Sequence, residues 1–161
     1  MRDSSRRSWR QRRREKRGQG SGIGGQKGVA MQGSTDKSEV RSFRDLVVWQ
    51  KSIQMSVAVY RLTREFPREE LYGLSSQMRR ATVSVASNIA EGHGRLSTNE
   101  YRQFLGVARG SNFELQTQLE IAKALQMADS RELNEIDVLS HEVGKMIFGI
   151  LEGIKDRRSR N

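Results

Sequence analysis

Few residues in this chain are of types that carry out chemistry. There are two histidines, His93 and His141, and no cysteine. Without thiols there is no disulfide, no thiolate metal site and no cysteine nucleophile. His93 stands two residues from Glu91, between Gly92 and Gly94. That pair invites a metal, but two ligands do not make a site, and an exposed loop histidine is the expected role. The Glu-x-x-His spacing used by di-iron bundles does not occur. Ser84 and Ser87 have no base nearby in sequence to activate them, so they read as small helix-contact residues. The Gly-rich run 18–28 is followed by polar sequence and not by a helix, which excludes a phosphate loop. The expectation is a protein with no catalytic apparatus, no metal and no cofactor.

Charge says more. The chain carries 29 Lys and Arg against 19 Asp and Glu, a formal net charge of +10, which suggests a polyanionic partner. Most of it sits in residues 1–41, where twelve basic residues face four acidic ones. This segment includes Arg12, Arg13 and Arg14 and has too few apolar residues to offset the entropy of ordering, so a disordered basic tail is expected. It reads either as a nucleic-acid-binding arm, since clustered arginines displace counterions from phosphate, or as sequence upstream of an alternative start at Met31. From Ser42 onward, 17 basic residues nearly balance 15 acidic ones. Within that part Arg95, Arg102 and Arg109 are the candidate nucleic-acid contacts, with Arg95 and Arg102 flanking the turn after Gly92 as a basic rim. Tyr60, Tyr101 and Phe104 fall in apolar stripes, which assigns them to the core and leaves few rings for stacking bases.

The elements that position these residues are helical. Ser42 and Asp45 have capping-box spacing, and Leu46, Trp49, Ile53, Val57 and Tyr60 then recur at helical steps, up to Phe66-Pro67. A second stripe, Leu71, Leu74, Met78, Ala81, Val85 and Ile89, stops at Gly92 and Gly94, as for a left-handed cap. The third opens with Ser97 and Glu100 as another capping box and runs through Tyr101, Phe104, Ala108, Ser111, Leu115, Leu119 and Ala122. The fourth follows Asp129-Ser130 with Leu133, Ile136, Ser140, Val143, Ile147, Ile150 and Ile154. Four amphipathic helices on short connections predict an all-α, antiparallel up-down-up-down four-helix bundle over 42–158, behind the tail 1–41. No apolar run approaches the ~20 residues of a membrane span, and the N-terminus lacks the apolar core of a secretory signal, so a cytoplasmic location with no membrane partner is expected.

Helix two is unusual for a bundle. Thr82, Val83, Ser84, Val85, Ser87 and Asn88 are indifferent helix formers in succession. Small residues allow close backbone approach, so this helix is expected to pack on more than one neighbour and to offer an interface. Glu91 lies in its last turn, where the helix dipole disfavours a carboxylate and a positive group should compensate. If helices two and three fold back through the Gly92–Ser97 loop, level residues sum to roughly 189. Arg80 then falls beside Arg109 and Gly110, and either Arg79 or Arg80 is expected to pair with Glu114.

At these residues the chain resembles a known family. Phe43-Arg44-Asp45-Leu46 with Trp49, Phe66-Pro67, Tyr72-Gly73-Leu74, Gln77, Arg79-Arg80, Ser84, the run Ser87-Asn88-Ile89-Ala90-Glu91-Gly92, Phe104-Leu105, Ala108, Gly110-Ser111, Glu114 and Leu115 are similar to the four-helix bundle proteins encoded in 23S ribosomal RNA intervening sequences. The family often has proline where this chain has Ala86, and the basic tail has no counterpart in it. The resemblance implies a small non-enzymatic bundle that forms a homo-oligomer, a pentamer in some relatives. A related branch, the accessory variability proteins of diversity-generating retroelements, associates with reverse transcriptase and nucleic acid. Two functions follow as expectations: an oligomer bound to RNA or DNA, or an oligomeric scaffold for another protein. Salt separates them, because phosphate-driven binding weakens steeply as salt is added.

Overall fold

Ser42 and Asp45 form the reciprocal pair that their spacing predicts. The Ser42 N–H donates to Asp45 Oδ2 at 2.9 Å, and Ser42 Oγ accepts from the Arg44 N–H at 3.3 Å. What they cap is a separate 3-10 turn, Phe43–Asp45, because Leu46 is extended (φ −70°, ψ 118°) and the first long helix starts after it. This computed structural model describes residues 42–159, with side chains as far as Lys155. The tail 1–41, with Arg12, Arg13, Arg14 and Met31, lies outside the described residues.

Four helices follow: α1 (Val47–Leu62), α2 (Leu74–His93), α3 (Thr98–Ala124) and α4 (Ser130–Ser159), with a 3-10 turn Arg68–Leu71 after Pro67. The described residues contain no strand. Each helix packs against its neighbours in sequence and α4 closes on α1, while the diagonal pairs are not in contact. Between α2 and α3, Ser84 meets Ser111 and Gly92 meets Phe104, so residue numbers fall on one helix as they rise on the other. These two helices are antiparallel.

The core is built from Met55, Val59, Met78, Val85, Ile89, Leu105, Leu115, Leu119, Val143 and Ile147, all fully buried, among others. The stripe expected for α4 lies on it, as do that of α2 from Leu74 onward and the apolar residues of the α3 stripe apart from Phe104, which Arg95 covers. The α1 stripe lies on it only at Leu46 and Trp49. The buried residues of α1 are Val48, Ser52, Met55, Val59 and Leu62, whereas Ile53, Val57 and Tyr60 face solvent, as does Leu71. Helix α1 is apolar on two sides, and Ser52 disguises the inward one. Its hydroxyl donates to the Trp49 carbonyl at 2.7 Å, so it can be buried with its hydrogen bond satisfied.

The helix ends also differ from expectation at one point. Ser97 caps α3, accepting from the Glu100 N–H at 3.2 Å while donating its hydroxyl to Glu100 Oε2 at 2.7 Å. Helix α2, in contrast, continues through Gly92 and ends at Gly94, which is right-handed (φ −79°). Gly92 is there for closeness. A Cβ built on it would sit 2.8 Å from Phe104 Cβ and 3.0 Å from Tyr101 Cδ2. The left-handed residue is Gln126 (φ 52°), after which the Met127 N–H returns to the Ala122 carbonyl at 3.0 Å and closes α3.

Two alanine substitutions test this account of the glycines. Gly92→Ala is expected to lower stability by about 1–3 kcal/mol through overpacking. Gly106→Ala, where nothing lies within 4 Å of the new Cβ, should raise stability by about 0.5–1 kcal/mol through helix propensity. Urea unfolding of both variants decides; equal effects would show that Gly92 is not a contact residue.

Candidate functional site

The unusual residues of α2 serve contacts inside the chain. Ser84 Oγ and Ser111 Oγ lie 2.8 Å apart, and Asn88 Nδ2 donates to the Ser84 carbonyl at 2.8 Å and to Ser84 Oγ at 3.1 Å. On the other side, Ser56 Oγ is 3.0 Å from Thr82 Oγ1. Helix α2 thus packs on two neighbours, as expected, and several of its small residues serve those contacts. Ser75, Ala81, Thr82, Ala86 and Gly92 are buried, whereas Ser87 is exposed and Ser76 and Ala90 are half-buried. Asn112 donates to the Ser140 carbonyl at 2.9 Å, which completes a polar layer across all four helices. Its Oδ1 is buried without a partner among the described residues, a cost that a purely stabilising core would avoid.

Neither arginine pairs with Glu114. Arg79 turns toward α1, where Nε donates to Thr63 Oγ1 at 2.8 Å and Nη2 to the Thr63 carbonyl at 3.2 Å. Its guanidinium lies 5.3 Å from the Tyr60 ring centroid. Glu114 accepts instead from Gln118 Nε2 at 3.0 Å. The reason is register. The paired numbers sum to 195 at Ser84–Ser111 and 196 at Gly92–Phe104, because α2 runs past Gly92 and meets the second turn of α3. Arg80 therefore lies level with Leu115, not with Arg109 or Gly110, and it is exposed with no ion pair among the described residues.

The three candidate arginines after Gly92 each have different neighbours. Arg95 forms an ion pair with Glu91, which supplies the compensation that carboxylate needs, and lies 4.5 Å from the Phe104 centroid. Arg102 borders a groove with Asn99, Gln103, Gly106 and Leu151. Arg109 covers two half-exposed rings, Phe113 at 5.3 Å and Phe148 at 5.8 Å. These residues belong to the more acidic side of the molecule, since α3 and α4 together hold nine acidic and eight basic residues.

The other side has no acid at all over long stretches. From Leu46 to Arg64 there is no Asp or Glu but Lys51, Arg61 and Arg64, and from Leu71 to Ala90 none but Arg79 and Arg80. Lys51 is bound to Glu142 at 2.7 Å. Arg61, Arg64 and Arg80 are exposed. Beside them a groove of about 430 Å³ is lined by Tyr60, Leu71, Tyr72, Arg79, Arg80 and Val83, within the size range of about 300–1,000 Å³ usual for binding pockets. Charge averaged over the whole bundle hid this side. Counting acids helix by helix reveals it from sequence alone.

A four-helix bundle with one densely packed helix and its charge divided between two sides is the class of protein these features define. The family model of the 23S rRNA-intervening sequence protein matches residues 44–149, and the chain belongs to that family. A solved structure shares the fold: a protein of unknown function from the S23 ribosomal protein family of Bacteroides thetaiotaomicron. It is 24% identical, with a TM-score of 0.62 over 65% of this chain and 98% of that one. Comparison with curated proteins gives no match. No helix among the described residues is long and apolar enough to cross a membrane.

Acidic residues gather where α1 ends and α4 begins. Repulsion from Glu65, above all, raises the Glu132 carboxyl above the usual carboxylate range, and Asp129 and Glu135 push the same way. The folded state therefore holds this proton more tightly than the unfolded chain does. Repulsion acts above the folded-state pKa and is relieved as pH falls through it. Glu132→Gln should raise the melting temperature at pH 7, with the gain shrinking as the pH is lowered through the carboxylate range. A gain independent of pH would rule out this origin.

Proposed function

We propose that this chain is a non-enzymatic, self-associating bundle that binds nucleic acid across the outer side of α1 and α2. One observation carries the reading: the stretches Leu46–Arg64 and Leu71–Ala90 hold exposed Arg61, Arg64 and Arg80 and no carboxylate of their own, the acids of this side lying at their ends, among them Glu65, Glu69, Glu70 and Glu91. Such a side attracts phosphate by counterion release without needing a sequence-specific pocket. The family's name, which links its members to 23S rRNA intervening sequences, agrees with a polyanionic partner.

Self-association is assigned to the opposite side. Gly110, Gly149 and Gly153 sit inside α3 and α4 with nothing within 4 Å of an added Cβ. Each costs its helix about 0.8–1 kcal/mol relative to alanine, and no contact in the chain accounts for that. Val107, Phe113 and Phe148 are about half exposed around them. A second copy approaching closely along this side supplies the missing contact. The scaffold reading, in which a different protein docks here and no nucleic acid binds, draws on the same residues.

Mass in solution and salt-graded binding test both halves. At micromolar concentration the protein should sediment above its monomer mass of 18.4 kDa, and Gly110→Leu should shift it toward monomer with its helicity intact. The double variant Arg64→Glu, Arg80→Glu should bind RNA at least about tenfold more weakly, and the slope of log K against log salt should flatten by about 1.4, from two lost single-strand phosphate contacts. Arg131→Glu, on the acidic side, is the control and should change neither. Binding that ignores salt, or that responds equally to both variants, overturns the assignment.

A further inference from the structure

We infer that the groove beside Tyr72 takes unpaired bases, so that the strand bound on this side is single-stranded; the inference rests on the nucleic-acid reading above. Tyr72 is 90% exposed, and its ring gains almost nothing from the fold. It is nevertheless held in place. The turn beneath it is closed by the Glu70 N–H bonding to the Pro67 carbonyl at 2.9 Å and the Gly73 N–H bonding to the Glu70 carbonyl at 3.1 Å. The Glu70 carboxylate also accepts from the Leu74 N–H at 2.9 Å, which joins the turn to the start of α2. A ring that is displayed to solvent on a bonded turn offers its face to a planar ligand.

The rest of the groove has matching chemistry. Tyr60 is 42% exposed, and the Arg79 guanidinium beside it is held by the neutral Thr63, not by a carboxylate. Its charge is therefore not cancelled, and its plane is fixed. Arg80 is exposed without an ion pair among the described residues, and Leu71 and Val83 supply apolar walls. Aromatic faces next to uncommitted cations are what sequence-tolerant single-strand binding uses: bases stack while phosphates meet the charges. A duplex keeps its bases stacked on one another and shows these rings only its backbone, so it gains nothing from Tyr72. The chain's own segment 1–41 is an unsuitable occupant, because with twelve basic residues it carries the same sign of charge as the groove.

The test compares three probes on the full chain by fluorescence anisotropy: a 12-mer of oligouridine, a blunt RNA duplex of the same length and a linear polyphosphate. The wild-type protein should prefer the oligouridine. Tyr72→Ala should weaken oligouridine binding roughly 5- to 150-fold, the worth of one stacked base, and leave the duplex and the polyphosphate unchanged. Tyr72→Trp should keep or strengthen oligouridine binding, and its new indole should be quenched by the bound strand. With so exposed a ring, neither variant should disturb the helical circular dichroism. If Tyr72→Ala weakens all three probes alike, or none, stacking is overturned while the charge-driven reading stands. If the charge-reversed double variant also binds all three as the wild type does, both readings fall, and an acidic protein becomes the better candidate for this groove.

Discussion

The arrangement depends on how closely α2 can approach two neighbours at once. Thr82 reaches Ser56 on α1, Ser84 reaches Ser111 on α3, and Gly92 admits the Phe104 side chain. These contacts need short side chains, and the hydroxyls among them pair with one another, so close approach leaves few orphaned polar atoms. The layer continues across the other helix pair through Asn112 and the Ser140 carbonyl. A slip of α3 by one turn would put Leu115 against Ser84 and Ala108 against Gly92. Register is thus set by polar matching as much as by apolar packing, and register decides which residues reach the surface together.

That constraint explains why the charge is divided. A helix pressed on both flanks has only a narrow outer strip, and on α2 that strip carries Gln77, Arg80, Val83, Ser87 and, at its end, Glu91. Helix α1, apolar on two sides, likewise exposes Ile53, Val57 and Tyr60 where a solvated bundle would place glutamate. The acids are found elsewhere: Lys123 is gripped by Glu120 and Asp137, each at 2.7 Å, and its pKa is raised, chiefly by the bond to Asp137. On the α3–α4 side Arg131 is likewise matched locally, by Glu135 at 3.2 Å. Cations of α1 and α2, apart from Lys51, are not.

Much of this was legible in the sequence. The four helices, the Ser97 cap, the stripes of α3 and α4 and the family followed from periodicity and motif. Three features did not, each for a physical reason. The core face of α1 was misplaced because Ser52, buried and self-bonded, interrupts one apolar stripe while Ile53, Val57 and Tyr60 complete a decoy. The partner of Arg79 does not follow from the sequence because Gly92 reads as a stop signal, although in the fold it is a contact inside the last turn of α2, and a loop pivot shifted by about three residues moves every level pair. The acid-poor side was overlooked because a near-neutral total conceals two unequal halves. Tyr72 stood among the residues that matched the family, but only its exposure shows that the fold makes no use of its ring.

The proposed division of labour between the two sides follows from what each could tolerate. A second copy packed on α1 and α2 would bury Arg64 and Arg80 without carboxylates facing them, and an unpaired buried charge costs several kcal/mol. Packed on α3 and α4, it would meet glycines and half-exposed rings, with Lys123 and Arg131 already held by carboxylates and Arg109 lying over Phe113 and Phe148. The reverse holds for a polyanion: Glu114, Glu120, Asp137 and Glu142 would repel it from α3 and α4, while on α1 and the outer strip of α2 the one acid is Glu91, which is paired with Arg95. Assembly on one side and phosphate on the other is the arrangement in which neither partner meets a charge it must strip of water without compensation.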